Sequence, residues 1–259
     1  MRILVTFAVE AEFAPWRALR DFRRVRVSTE HWSGGVDVLE TTIDSNSVWI
    51  YLTGIGIKCF GLRQDLSFQA ARVDAAVSSG LAGALRTSYS VGDIIAARRV
   101  GTTRDASGIP GNAGLLEFAR RSGARLADVL LTANHIVETV EEKKSLSLFA
   151  DVVDMESVHI MDAFRNQNVP CVTIRAISDG SDEDLPINFS RAVRNDGSLR
   201  VGALIGELVK RPTKVPDLVR FGQRSRNAAQ KLVAFLDRFV ESLTPEGVTT
   251  SPQGVAEHE

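Results

Sequence analysis

Short apolar runs rich in β-branched residues punctuate the chain: "RILVTFAV", "DVLETTI", "SVWIYLT", "DAAVSS", "GDIIAARRV", "DVLLTAN", "VVDM" and "PCVTIRAIS". Runs of this length and make-up predict strands. Between several of them lie stretches with helical spacing, "AEFAPWRALRDF", "CFGLRQDLSFQAAR", "NAGLLEFARRSGAR" and "VHIMDAFRNQN". The alternation predicts an α/β fold in three layers, α/β/α, with a central mixed sheet covered on both faces. From about Asn195 the pattern changes to two or three helices, separated near Pro212 and Pro216, where proline ends or opens a helix. The last stretch, "TPEGVTTSPQGVAEHE", is polar and rich in turn formers. The expected organisation is one domain over 1–243, with 195–243 a helical extension and 244–259 a disordered tail.

Composition narrows the class. With 259 residues, 44% of them hydrophobic, the chain can bury a sizeable core. A formal net charge of -1 exerts no overall pull on nucleic acid, so a nucleic-acid partner is not expected. Cys59 and Cys171 stand far apart and form neither a disulfide framework nor a zinc pattern; both read as buried thiols of a reducing cytosol. "MRILVTFAVEAE" begins like a signal peptide, but Glu10 and Glu12 fall where a cleavage region is small and uncharged, so it reads as a first strand. No stretch has the roughly 20 consecutive apolar residues of a bilayer span. A cytoplasmic protein is expected.

Four places can carry chemistry. Glu10 and Glu12 follow the first strand, where acids also favour a helix dipole. "TGIGIKCFG" hints at a dinucleotide turn, but its third glycine comes too late and Asp74 precedes a strand instead of ending one. In "SSGLAGALRTSYSVGDII", Gly80 and Gly83 read as a turn after a strand, exposing backbone amides to a ligand or making a tight connection. Finally "VVDMES" and "RAISDG" set Glu156 and Asp179 at strand ends, the edge of an α/β sheet where ligands gather and where an acid also serves as a helix cap. Asp182, Glu183 and Asp184 read as a solvated rim.

In order and spacing, "AVEAE", "TGIG", "SSGLAGAL" with "VGDII", "DMES" and "RAISD" together resemble the nucleoside phosphorylase and nucleosidase superfamily, closest in pattern to the 5′-methylthioadenosine/S-adenosylhomocysteine nucleosidases, over roughly residues 1–190. The resemblance implies that fold and cleavage of a purine N-glycosidic bond. It makes Asp179 the acid that meets N7 of the base, with a proton retained through burial. Ser178 would position that acid and Arg175 would support its loop. Glu12 would activate water on the opposite face of the sugar, in the manner of an inverting glycosidase. Glu156 would hold the ribose hydroxyls, Met155 would lie beneath the sugar, Val137 would offer its backbone to adenine, and Gly80 would lie against the substrate. His135 reads as structural, and no metal or other cofactor is implied.

The chain departs from that pattern at Leu81, where hydrolytic relatives usually carry serine, and it lacks the arginines that hold phosphate in hexameric phosphorylases; Arg17 and Arg86 match neither. Water is therefore the expected nucleophile, with phosphate a co-substrate only in the alternative of a phosphorylase. A nucleoside-binding protein without catalysis is the third alternative. "DEDLPINF" and the carboxyl-terminal helices resemble the hopanoid-associated branch, implying adenosylhopane as substrate. Lys214, Arg220, Arg224, Arg226, Lys231 and Arg238 stand beside Val215, Leu218, Val219, Phe221, Leu232, Phe235 and Leu236. Such a segment suits peripheral contact with an anionic membrane, and suits slightly better a packed helix with a charged outer face. Relatives assemble as dimers or larger rings, so a homo-oligomer is expected.

Overall fold

Strand β1 (Arg2–Phe7) is apolar at almost every position because both its faces are covered. A computed structural model describes residues 1–29, 32–56, 72–187, 189 and 212–248. After β1 come helix α1 (Glu10–Arg17) and strands β2 (Arg23–Thr29), β3 (Trp32–Ile43), β4 (Asn46–Leu52), β5 (Ala75–Ala84), β6 (Ile94–Thr102) and β7 (Asp105–Pro110). The chain continues through helix α2 (Ala113–Arg121), β8 (Arg125–Thr132), α3 (Val140–Leu146), β9 (Val152–Asp154), α4 (Ser157–Arg165), β10 (Cys171–Asp179) and α5 (Val215–Ser242).

The strands form one mixed sheet, and part of it closes. β5 runs parallel to β1 on one side and to β10 on the other. From β10 the pairing passes to β6, β8 and β9 and returns to β5 at Gly83 and Ala84. The arm β1–β4–β3–β2 stays open. One face carries a core shared by Phe13 and Trp16 of α1, Leu115 of α2 and Leu232, Phe235 and Phe239 of α5; the other packs on Ile160, Met161 and Phe164 of α4. These are the three layers expected. Asp237 of α5 ties the first face together, accepting from Trp16 Nε1 at 3.0 Å and from Arg20 at 3.0 and 2.7 Å.

Several elements differ from expectation. Helix α1 ends at Arg17, short of Phe22, with Pro15 inside it removing a helical donor; Phe22 instead packs on Phe13 with ring centroids 4.9 Å apart. β5 does not stop before Gly80 but runs on to Ala84, so Gly80 and Gly83 lie within a strand and not in a turn. α3 arises in a segment with no predicted helix. Pro216 opens α5 at its first turn, and a single helix runs from Val215 to Ser242. Its Leu232, Phe235 and Leu236 are core residues, in agreement with the packed helix of charged outer face that the segment suits slightly better. Within the segment expected to be a disordered tail, Pro245–Gly247 forms a short 3-10 turn. Cys171 is buried, and burial pushes its thiol up to about 12. Cys59, the helix expected over "CFGLRQDLSFQAAR" and the extension before residue 212 lie outside the described residues. Among the described residues no helix is long and apolar enough to cross a membrane.

Candidate active site

The carboxyl ends of β1, β5, β8, β9 and β10 meet around a cavity of about 300 Å³. Glu12 enters it from α1. As the third residue of the helix, Glu12 reaches back to the helix start, where Oε2 accepts from the Ala8 and Val9 N–H groups at 3.0 and 3.3 Å. Its other oxygen accepts from Leu81 N at 2.9 Å. Burial pushes this carboxyl above the usual range, and the backbone donors and the Arg175 charge offset only part of that.

Gly80 explains how Glu12 fits. It holds φ +145°, and a β-carbon there would stand 3.0 Å from Glu12 Oε1. Gly83 does the same for the second acid, since a β-carbon would come 2.9 Å from Asp179 Oδ2. The two glycines let carboxylates lie directly against the backbone of β5, which is what glycine inside a strand commonly marks.

At the end of β9 the acids divide their work. Asp154, not Glu156, caps α4: it accepts from Ser157 N at 3.1 Å and from the Ser157 hydroxyl. Arg175 reaches the same carboxylate from β10 through Nε and Nη2, at 3.0 and 2.6 Å, and is itself 1% exposed. Relieved of capping, Glu156 accepts from Gly56 N at 2.8 Å and faces the cavity. Its carboxyl is pushed up to about 8, first by burial and then by repulsion from Asp154.

Asp179 ends β10, 6% exposed. Ser178 Oγ lies 2.6 Å from Asp179 Oδ1 and 3.2 Å from the Ala82 carbonyl oxygen. Lys143 of α3, wholly buried, donates to Asp179 Oδ2 at 2.6 Å. A cation is therefore buried with this acid. Two of the three rim acids are not merely solvated. Glu183 accepts from Gly180 N at 2.9 Å and from Arg224 Nη1 at 2.8 Å, and Asp184 accepts from Val140 N at 2.7 Å.

Of the residues expected in the site, Asp179, Glu12, Glu156, Met155, Val137 and Ser178 all line the one cavity. Arg175 and Gly80 do not: Arg175 holds Asp154, which itself lines the cavity, and Gly80 makes room for Glu12. His135, read as structural, stands in the lining with Nε2 2.6 Å from Glu142 Oε1. Arg17 and Arg86 lie away from it, paired with Glu10 and Asp151 at 2.7 Å each. Among the described residues no arginine or lysine lines the cavity, and no cluster of three or more metal-binding side chains occurs. Sequence reasoning missed Lys143, whose neighbour Lys144 is an equal candidate by type. It also missed Phe189 and Ser225, which line the cavity with Phe221.

A second, apolar groove of about 830 Å³ runs between α1 and α5 past Ala14, Pro15, Ala18 and Ala229. It shares Val9, Glu12, Leu81 and Ser225 with the first cavity, so the two adjoin at Glu12.

The sequence profile of the phosphorylase superfamily matches residues 2–210. A 5′-methylthioadenosine/S-adenosylhomocysteine nucleosidase of Shewanella denitrificans is 25% identical over 210 residues, 70% of this chain and 91% of that protein. One from Buchnera aphidicola is 25% identical over 174 residues, 58% of this chain and 74% of the relative. Among solved structures, the Campylobacter jejuni 5′-methylthioadenosine/S-adenosyl homocysteine nucleosidase aligns with TM-score 0.68 at 15% identity, covering 94% of this chain and 100% of that one. Futalosine hydrolase of Helicobacter pylori gives 0.68 at 17%, covering 94% and 98%. At such identities the structural likeness is one of fold.

Proposed function

Since this chain belongs to the phosphorylase superfamily, we propose that it hydrolyses the N-glycosidic bond of a 5′-substituted adenosine and releases adenine. The observation that carries this reading is the pair of buried acids, Glu12 and Asp179, brought into one cavity over the glycines of β5. Breaking the bond places positive charge on the sugar and negative charge on the base. Asp179 meets N7 of the base with a proton, while Glu12, with its raised proton affinity, accepts a proton from the attacking water. Glu156, whose carboxyl burial and Asp154 push up, holds the ribose hydroxyls beside the Gly56 N–H. Met155 supports the sugar and the backbone beside Val137 reads the adenine edge.

The departure of the sequence from the arginine pattern that holds phosphate in hexameric phosphorylases supports water over phosphate as nucleophile, because a bound phosphate calls for charged donors. The apolar groove beginning at Glu12 supports a 5′ substituent that is itself apolar and extended, as in adenosylhopane. Ser225 Oγ, buried and without a partner among the described residues, stands where cavity and groove join and supplies a polar contact at that turn.

The test is adenine release from 5′-methylthioadenosine and from an adenosine bearing a long apolar 5′ group, each with and without phosphate. Faster release from the apolar substrate, independent of phosphate and lowered about 10²-fold or more in Asp179→Asn, is expected. Strict phosphate dependence would make the protein a phosphorylase, and an undiminished Asp179→Asn would refute the assignment of the acid.

A further inference from the structure

We infer that Lys143 is a positioning residue for the leaving-group acid, fixing Asp179 and stabilising the carboxylate that remains once its proton has gone to the base. The inference rests on the nucleosidase reading and on a buried ion pair that this reading does not need. Lys143 Nζ is wholly enclosed and spends three hydrogen bonds at one place: Asp179 Oδ2 at 2.6 Å, the Gly180 carbonyl oxygen at 2.7 Å and the Glu183 carbonyl oxygen at 3.0 Å. It does not line the cavity, so it acts through Asp179.

A lysine buried for stability alone would be an expensive device, since desolvating an ion costs several kcal/mol before any pairing is counted. Here the ammonium anchors one carboxylate oxygen and the loop that follows β10, while Ser178 holds the other. During cleavage the electron pair of the glycosidic bond passes to the base and the Asp179 carboxyl proton passes to N7. Asp179 is left as a carboxylate beside the Lys143 ammonium. The water proton goes to Glu12, and both acids return to their starting states through solvent.

An ammonium at this distance stabilises the negative charge that the proton transfer leaves on Asp179. The other charged groups nearby are already engaged. Glu183 binds Arg224 and Gly180 N, Asp184 binds Val140 N, Glu142 of α3 binds His135, and across the cavity Glu12 and Glu156 accept from Leu81 N and Gly56 N and are unchanged in every variant. Removing Lys143 should therefore give two opposed changes, a lower maximal kcat and an alkaline limb that moves to higher pH.

The experiment is the kcat–pH profile for adenine release by wild type, Lys143→Met, Lys143→Arg, Asp179→Asn and the double variant Asp179→Asn/Lys143→Met. Lys143→Met is expected to lose about 10²-fold in kcat with KM within about threefold, its alkaline limb displaced upward by about one pH unit or more. Lys143→Arg keeps the charge and the wild-type limb. The double variant, which leaves no orphaned charge if the single one folds poorly, loses no more than Asp179→Asn alone. A uniform loss with an unmoved limb, or a double variant well below Asp179→Asn, would overturn the role of Lys143 while leaving the nucleosidase reading intact. Wild type as silent as Asp179→Asn on every nucleoside would overturn that reading, and this role with it.

Discussion

Replacing Glu156 by Gln should abolish a pH dependence of stability that the buried carboxyl imposes. Unfolded, a glutamate titrates near 4.5; in the folded protein this one is pushed up to about 8 by burial and by Asp154. Between those values the unfolded chain has lost the proton and the folded chain has kept it. The unfolded state then binds fewer protons, so stability falls as pH rises, and levels off above about pH 8. A gap of about 3.5 units at about 1.4 kcal/mol each sets a ceiling near 5 kcal/mol, of which about 2 to 3 kcal/mol accrues between pH 5 and pH 7. For a chain of this size that corresponds to roughly 5 to 10 °C in Tm. Glutamine keeps the shape and cannot ionise. Thermal melts of both proteins from pH 5 to pH 8 should nearly coincide at the acid end and then separate, the variant melting higher. Parallel curves with a constant offset would refute the reasoning, because they would mean that Glu156 titrates alike in the folded and unfolded chain.

Two further substitutions test the framework beneath the acids. Gly80→Ala forces a side chain into a left-handed conformation and sets its β-carbon against Glu12 Oε1, so a loss of about 1–3 kcal/mol in urea unfolding and a clear drop in kcat are expected, and an unchanged midpoint would contradict it. Arg175→Met leaves Asp154 buried without its cation and should cost about 3–5 kcal/mol. A loss of activity in that variant without a loss of stability would instead make Arg175 a substrate contact.

Much of this protein was legible before any coordinates. Continuous apolar runs such as "VPCVTI" identify strands covered on both sides, and the acids that follow them fall at the sheet edge where a ligand sits. It is the resemblance to the nucleosidase pattern that picks Glu12, Glu156 and Asp179 from among the acids at those ends, and in the folded chain they converge on one cavity. The folded chain alone decided how they are held. Gly80 and Gly83 look like turn residues until β5 is seen to continue through them, because local composition cannot reveal a carboxylate arriving from another element. Glu156 and Asp154 are equivalent as caps in sequence, and only the position of Arg175 at the next strand commits Asp154 to that work and leaves Glu156 for the cavity. Lys143 and Lys144 are adjacent and alike, but about 100° of helical rotation puts one inside against Asp179 and the other outside. Local periodicity records which face of an element is buried. It holds no record of the partner 36 residues away that makes burial of a charge tolerable, because that partner is set by how the strands close upon one another.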